Sequence, residues 1–367
     1  MRTMGVEEEL LLVDPATGEP KALAAEVLRV AEIRGRDDDD SSGPGGTLDH
    51  ELQRQQVETD TPPREDLDAI AEDLRGWRER VRLSALETGA RVLATGLSPL
   101  DGRITRTRDP RYDAMAERFR LTLAEQLACG CHVHVGVESD EEAVTVLDRI
   151  GRWLPVLHAL STNSPWWQGK DTGYASFRAQ MMTRWPTAGP TPHFGSVEAY
   201  RSWVDRLVAT GVATDEAMIY TDARAAATYP TVELRVADVC LDVRDTVVVA
   251  GLCRALVDAA AAQPLDEAPG ARDVVRLATW QASRYGLTGD LVDPRTGRPA
   301  PARDVVDALL EQVDDALGRL GDRERLHRGV DELFERGTGA ERQRALFAER
   351  DPAEAVLALA RITAGEE

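Results

Sequence analysis

The chain predicts an α+β fold, with a largely antiparallel sheet inside about the first 240 residues and helices around and after it. Three observations lead there. Separate short segments read as strands, apolar residues at helical spacing fill the stretches between them, and beyond Cys240 the helical spacing continues alone. No internal repeat and no strong linker interrupts the 367 residues, so one domain over 1–367 is expected, with its sheet-containing part at about 1–240 and its helical part at about 241–367.

The elements follow in order. A first strand, Gly5-Val6-Glu7-Glu8-Glu9-Leu10 and onward, ends at the turn signal Asp14-Pro15-Ala16-Thr17-Gly18, and a short helix at 24–33 follows. The stretch 36–46, with four consecutive aspartates and several glycines, is too polar to pack and is expected as a solvated surface loop. Residues 47–59 read as one strand of unusual polarity, and 64–87 as an amphipathic helix on Leu67, Ile70, Leu74 and Val81. A short apolar strand at 91–96, a helix at 112–127 and the strand Cys131-His132-Val133-His134-Val135 come next. Ser139 caps a helix that runs to about 160, its first turn made acidic by Asp140, Glu141 and Glu142. The stretch 163–195 is irregular, and a loop of that length is more often functional than decorative. Strands near 217–222 and 231–239 precede helices at 242–263, 271–285, 302–320 and 340–364.

Composition narrows the function. Acidic residues outnumber basic ones 64 to 44, and a formal charge of −20 repels nucleic acid and anionic membranes, leaving small molecules as the expected partners. The start of the sequence carries no apolar signal core and no apolar run is long enough to span a bilayer, so a cytoplasmic protein is expected. Cys129, Cys131, Cys240 and Cys253 lack zinc or disulfide spacing and are expected as reduced, buried small side chains, although the position of the first two beside the histidines leaves a thiolate ligand conceivable.

Chemistry is concentrated on three strands. Side chains alternate between the faces of a strand, so Glu7 joins Glu9, His132 joins His134, and Glu233 joins Arg235 on one face each. Glutamate is depleted in strands and buried charge needs a partner, which points to a site holding a polyvalent cation with a phosphate-bearing substrate. Each pair also has a plainer reading: an edge strand charged against aggregation, core histidines bound to backbone, or a structural ion pair. Trp166, Trp167 and Trp185 either line a pocket or pack the long loop, and Lys170, Arg178 and Arg184 beside them are candidates for phosphate or carboxylate.

Five ordered motifs carry a resemblance. They are Gly5-Val6-Glu7-Glu8-Glu9, Cys129-Gly130-Cys131-His132-Val133-His134-Val135-Gly136, Asn163-Ser164-Pro165-Trp166-Trp167-Gln168-Gly169, Arg184-Trp185-Pro186-Thr187-Ala188-Gly189 and Tyr229-Pro230-Thr231-Val232-Glu233-Leu234-Arg235. Together they resemble the type 2 glutamate-cysteine ligase family of carboxylate-amine ligases, from about residue 3 to 260 and more weakly through the tail. The resemblance implies a glutamine-synthetase-like fold with a curved sheet under the site. It also implies the reaction, in which ATP with Mg phosphorylates a carboxylate, with glutamate as donor, and an amine displaces phosphate, with cysteine as a candidate. Carried over by position, it makes Glu7, Glu9, Glu51, Glu58, His132 and Glu233 metal ligands and gives Glu233 and Arg235 the catalytic roles. Arg235, His134, Arg224 and Lys170 fall to the nucleotide or substrate, and a homodimer is suggested. Hard divalent ions prefer carboxylate oxygen, in keeping with that set. Glu51 and Glu58 are seven apart, so one ideal strand puts them on opposite faces and a bulge or turn is required to unite them. The segment Tyr220-Thr221-Asp222-Ala223-Arg224-Ala225 departs from the family pattern and leaves the amine open. A metal-dependent amidohydrolase working without ATP and a nucleotide-binding regulator without turnover are the rival readings.

Overall fold

A computed structural model describes residues 1–35, 46–262 and 271–366; all but the last residue of the loop expected at 36–46 lies outside them. Strand β1 (Met4–Val13) is the axis of the fold. Met4, Val6, Glu8 and Leu10 are buried on one face, while Gly5, Glu7 and Glu9 stand partly open on the other. Helix α1 (Ala24–Gly35) is followed by β2 (Leu48–His50) and β3 (Gln56–Asp60). The expectation of one strand over 47–59 is therefore corrected. The chain reverses between the two, with the Gln56 N–H donating to the Gln53 carbonyl at 3.0 Å, and β2 pairs antiparallel with β3.

Helix α2 (Leu67–Glu87) starts at Asp66, whose carboxylate accepts from the Asp68 and Ala69 N–H groups, and it leads into β4 (Arg91–Leu93). The helix expected at 112–127 is two, α3 (Pro110–Phe119) and α4 (Leu121–Ala124), broken where Arg120 takes a φ of 47°. Strand β5 (Gly130–Gly136) carries the histidines. Ser139 caps α5 (Asp140–Ile150) as expected, and a 3₁₀ turn (Gly151–Trp153) separates it from α6 (Leu154–Leu160). The irregular stretch after it holds the ribbon β6 (Trp166–Trp167) and β7 (Lys170–Asp171), then α7 (Phe177–Met182), with α8 (Val197–Ala209) beyond.

The strand expected at 217–222 is instead a 3₁₀ turn (Glu216–Met218), and β8 (Ala223–Ala225) begins after it, paired with β9 (Thr231–Asp238). The tail comprises α9 (Val243–Ala262), α10 (Arg272–Tyr285), β10 (Asp290–Asp293), β11 (Arg298–Pro301), α11 (Ala302–Leu320), α12 (Arg323–Arg336), α13 (Gly339–Glu349) and α14 (Pro352–Thr363). It is thus not wholly helical, since β10 and β11 form an antiparallel hairpin. The helix expected at 340–364 is divided before Pro352, which lacks an N–H and sits comfortably only in a first helical turn.

The main sheet runs β2-β3-β1-β5-β9-β8, with β4 on β1 beyond the end of β5, and every pairing is antiparallel. Its packed face meets α9, a largely apolar helix buried from Val243 to Ala260 apart from Arg244 and Asp258, with Asp245, Thr246 and Arg254 among its buried residues. One apolar core joins β1, β5 and β9 to helices α2, α5, α6, α9, α11 and α12, so the tail helices share buried contacts with the sheet. A second core gathers Leu10 to Val13, β4, α1 and Val356 and Leu359 of α14. Among the described residues no helix is long and apolar enough to cross a membrane.

Candidate active site

The uncovered face of the sheet floors a cavity of about 460 Å³ lined by Glu7, Glu9, Glu51, Glu58, His132, His134, Arg224, Glu233 and Arg235, among others. Register brings them together. Glu7 lies opposite His132, Glu9 opposite Glu58, and His134 opposite Glu233, which in turn faces Arg224 of β8. A bulge between Cys131 and Val133 lets β9 follow β5 without losing that alignment. The turn between β2 and β3 carries Glu51 over the same cavity as Glu58, the reversal that their spacing requires.

Two geometries coexist. On one side, Glu7 Oε2 is 3.0 Å from His132 Nδ1, its Oε1 is 2.9 Å from His134 Nε2, and His134 Nδ1 is bonded to Thr231 Oγ1 at 3.0 Å. Glu233, 2% exposed, accepts from Arg224 Nε at 2.6 Å and also from Arg235 Nη1. On the other side, Glu9, Glu51 and Glu58 crowd together; Glu9 accepts from the Gly130 N–H at 2.6 Å and Glu51 from the Leu52 N–H at 2.8 Å. Among the described residues, three groups have donor atoms all within 4.8 Å of one another: Glu7, His134 and Glu233; Glu7, Glu58 and His132; and Glu9, Glu51 and Glu58.

The electrostatics separate these sides. Burial alone disfavours charge on Glu7, but His132 and His134 outweigh it and hold the carboxyl far below the usual range. Burial likewise opposes charge on Glu233, and Arg235 and Arg224 outweigh it, leaving a pKa of about 2. Burial and then the Arg235 charge depress His132, whereas His134 is raised because Glu7 overcomes its burial. Glu51 is pushed up to about 8 by burial and by Glu9, and Glu58 is raised well above the usual range by burial and by Glu51, Glu7 and Glu9. Carboxyls that can ionise only against one another suit hard divalent cations, and carboxylates with imidazoles are a donor set that such ions accept.

Other site features are less visible in the sequence. Gly130 opens β5 where a Cβ would stand 2.2 Å from Arg178 Nη2 and 3.1 Å from His132 Nε2, so only glycine lets that buried guanidinium reach the cavity. Trp185 and Tyr220 form part of the wall at 5.4 Å between ring centres, while Trp166 stacks on Phe347 at 4.5 Å away from it. The Asn163-Ser164 motif is an anchor. Asp238 accepts from the Asn163 N–H and from the Ser164 and Ser176 hydroxyls at 2.7–2.9 Å, tying the tryptophan segment to the end of β9. Lys170, expected near nucleotide, is exposed on β7 and does not line the cavity. Arg184 reaches Glu125 instead, and all four cysteines are buried and unpaired.

Residues 3–359 match a sequence family described as Glutamate-cysteine ligase family 2 (GCS2). A protein of Streptomyces avermitilis provisionally named glutamate–cysteine ligase 2-1 is 49% identical over 353 residues, covering 95% of each chain. A similarly named protein of Streptomyces coelicolor is 48% identical over 351 residues, again covering 95% of each. Among solved structures, the glutamate–cysteine ligase of Francisella tularensis in complex with AMP superposes with a TM-score of 0.70 at 12% identity, over all of this chain and 88% of that one. A bifunctional glutathione synthetase from Pasteurella multocida gives 0.72 at 15% identity, over all of this chain and 52% of that larger one. At such identities the structural likeness is one of fold, and the fold is glutamine-synthetase-like.

Proposed function

The chain belongs to glutamate-cysteine ligase family 2, ligases that form a C–N bond, and from that premise we propose that it spends ATP with Mg²⁺ to join the side-chain carboxylate of glutamate to an amine, with cysteine as the first candidate. The observation that carries this reading is one cavity lined by six glutamates and two histidines, with a pair of arginines fixed on Glu233. In the reaction a carboxylate oxygen takes the terminal phosphoryl group of ATP, ADP leaves, and the amine nitrogen then forms the amide as phosphate departs and the amine loses a proton. Glu7, Glu9, Glu51, Glu58, His132 and Glu233 are the residues that would hold divalent ions, whose charge would offset that of the phosphoryl oxygens.

The chain's own groups do the remainder. Glu233 holds both Arg224 and Arg235; Arg224 also donates through Nη1 to the Glu216, Ala217 and Ile219 carbonyls, which leaves Arg235 as the guanidinium preorganised toward charge developing in the cavity. His132, kept neutral by burial and by Arg235, offers an imidazole lone pair, while His134 stands between Glu7 and Thr231, its Nε2 2.9 Å from Glu7 Oε1 and its Nδ1 3.0 Å from Thr231 Oγ1. Residues 1–367 act in this reading as one catalytic unit. The test is phosphate release with ATP and Mg²⁺ across a matrix of amino-acid carboxylates and amines, with product masses read from the same wells. One pair giving both phosphate and its condensation mass supports the reading; hydrolysis of amides without nucleotide would replace it with an amidohydrolase.

A further inference from the structure

Helix α3 is a partition. Its residues Tyr112 and Met115 line the cavity over the sheet, while Asp113, Glu117 and Arg120 line another, of about 590 Å³, that shares no lining residue with the first. Two features of this outer cavity are anomalous. Gln53, in the turn between β2 and β3, lines it with a side chain that is 1% exposed; its Nε2 donates to the Leu123 carbonyl at 3.1 Å, but its Oε1 is buried with no hydrogen-bond partner. An acceptor left in that condition costs free energy unless a ligand supplies the donor. Arg120 holds φ at 47°, a conformation that among the described residues only Gln168 shares without being glycine, and strain of that kind persists where the surroundings over-determine it, often at ligand sites. Charge is open here too. Arg106 is paired with Asp113, whereas Glu117 and Arg120 are exposed and form no ion pair among the described residues. Ile104 and Leu123 supply an apolar wall.

We propose that the outer cavity binds a small free amino acid that takes no part in the reaction, one whose side chain ends in a neutral N–H or O–H donor: the donor meets Gln53 Oε1, the ammonium meets Glu117 and the carboxylate meets Arg120. A polyphosphate is a poor occupant, because it brings only acceptors to Gln53, and an apolar side chain leaves that oxygen as it is. Position makes the ligand an effector. Glu51 and Leu52, which line the sheet cavity, directly precede Gln53. The segment that carries Arg106 is bonded on both sides of Gln53. Thr107 donates through Oγ1 to the Glu51 carbonyl at 2.6 Å and through its N–H to the Leu52 carbonyl at 3.0 Å, and the Arg54 N–H donates to the Thr105 carbonyl at 2.8 Å. A ligand on Gln53 therefore braces the turn in the arrangement that sets Glu51 against Glu9 and Glu58, and a cation favoured there tightens the ligand in return. The effect on catalysis rests on the ligase reading; the binding does not.

Calorimetric titration of the full chain without nucleotide or Mg²⁺ is expected to show L-glutamine, L-asparagine or L-serine binding about tenfold or more tightly than L-norleucine, which has no side-chain donor. Glu117→Gln and Arg120→Gln, both at the surface, are expected to weaken that ligand about tenfold each, and Gln53→Leu to erase its advantage over L-norleucine. No binding at about 10 mM, or binding that both surface variants leave intact, overturns the site; the second result would put the amino acid in the sheet cavity. In phosphate release with the substrate pair found in the matrix, the same ligand is expected to lower the Mg²⁺ concentration for half-maximal rate by about fivefold. That shift is expected to vanish in Glu117→Gln and Arg120→Gln, whose rates without the ligand match the parent chain. Binding without the shift overturns the effector role. A chain that releases no phosphate with any pair sinks the ligase reading and leaves calorimetry to decide the site.

Discussion

Glu7, Glu8 and Glu9 are one side chain three times over with three surroundings. The alternation of a strand puts Glu7 and Glu9 on one face, and that much is legible from the sequence; the register of β1 with its neighbours then sets Glu7 beside the histidines and Glu9 beside the acidic cluster. Glu8 points the other way. It is fully buried, paired with Arg78 of α2 through two hydrogen bonds of 2.7 and 2.8 Å, and bonded to Thr246 Oγ1 at 2.8 Å. Nothing local in the sequence marks Arg78 as its partner, because the pairing depends on how α2 lies across the sheet. The two faces give opposite predictions. Glu8→Ala strands the Arg78 guanidinium in the core and is expected to cost about 3–5 kcal/mol, read as a lowered denaturant midpoint. His132→Ala removes a group that is neutral in place and is expected to cut turnover by ~100-fold or more while the melting temperature changes little. Glu233→Gln is expected to lose turnover similarly, and unchanged ATP consumption in both site variants would refute their placement in the chemistry.

At the scale of elements, the sequence shows strands and long helices where the apolar period is clear and misplaces them where a local break intervenes. The polar stretch 47–59 has the composition of a strand, but the reversal between β2 and β3 is made by backbone at Gln53 and Gln56, residue types that announce no turn. Helix α12 escapes detection because Leu326, Val330 and Leu333 are its buried stripe in a segment crowded with charge. Its neighbour α13 has a sharper constraint. A Cβ on Gly339 would stand 2.1 Å from Asn163 Oδ1. Asn163 cannot yield, since its Nδ2 donates to the Ala94 and Val239 carbonyls at 3.0 and 2.8 Å and Gln343 Nε2 donates to its Oδ1 at 2.7 Å. Gly339→Ala is therefore expected to cost about 1–3 kcal/mol, seen as a lower urea midpoint at constant slope. An unmoved midpoint would mean that α13 can slide away from the end of the sheet without loss.

Across the whole molecule, a chain of net charge −20 gathers six of its glutamates into one cavity, and the ionisation of Glu7, Glu51, Glu58 and Glu233 couples stability to pH and to divalent cations. The signs differ by residue. Glu7 and Glu233 have lowered pKa values, so their contribution is present above the ordinary glutamate range and is lost as pH falls toward the folded values. Glu51, at about 8, and Glu58, well above the usual range, hold protons more tightly when folded, so stability falls as pH rises from the ordinary glutamate value of 4.5 through that window. Near and above neutrality the second pair governs, because the first is already fully ionised. A cation that replaces those protons has fewer of them to displace at high pH. Thermal melts with and without Mg²⁺ are thus expected to show a larger gain in Tm at about pH 8.5 than at about pH 6, with the metal-free protein less stable at the higher pH. Replacing Glu51 by Gln should flatten both trends, since it removes one proton-binding group from the cluster and leaves the His132 and Glu233 side intact. A gain from Mg²⁺ that is equal at the two pH values would place the cation away from Glu51 and Glu58, on Glu7 and the histidines alone.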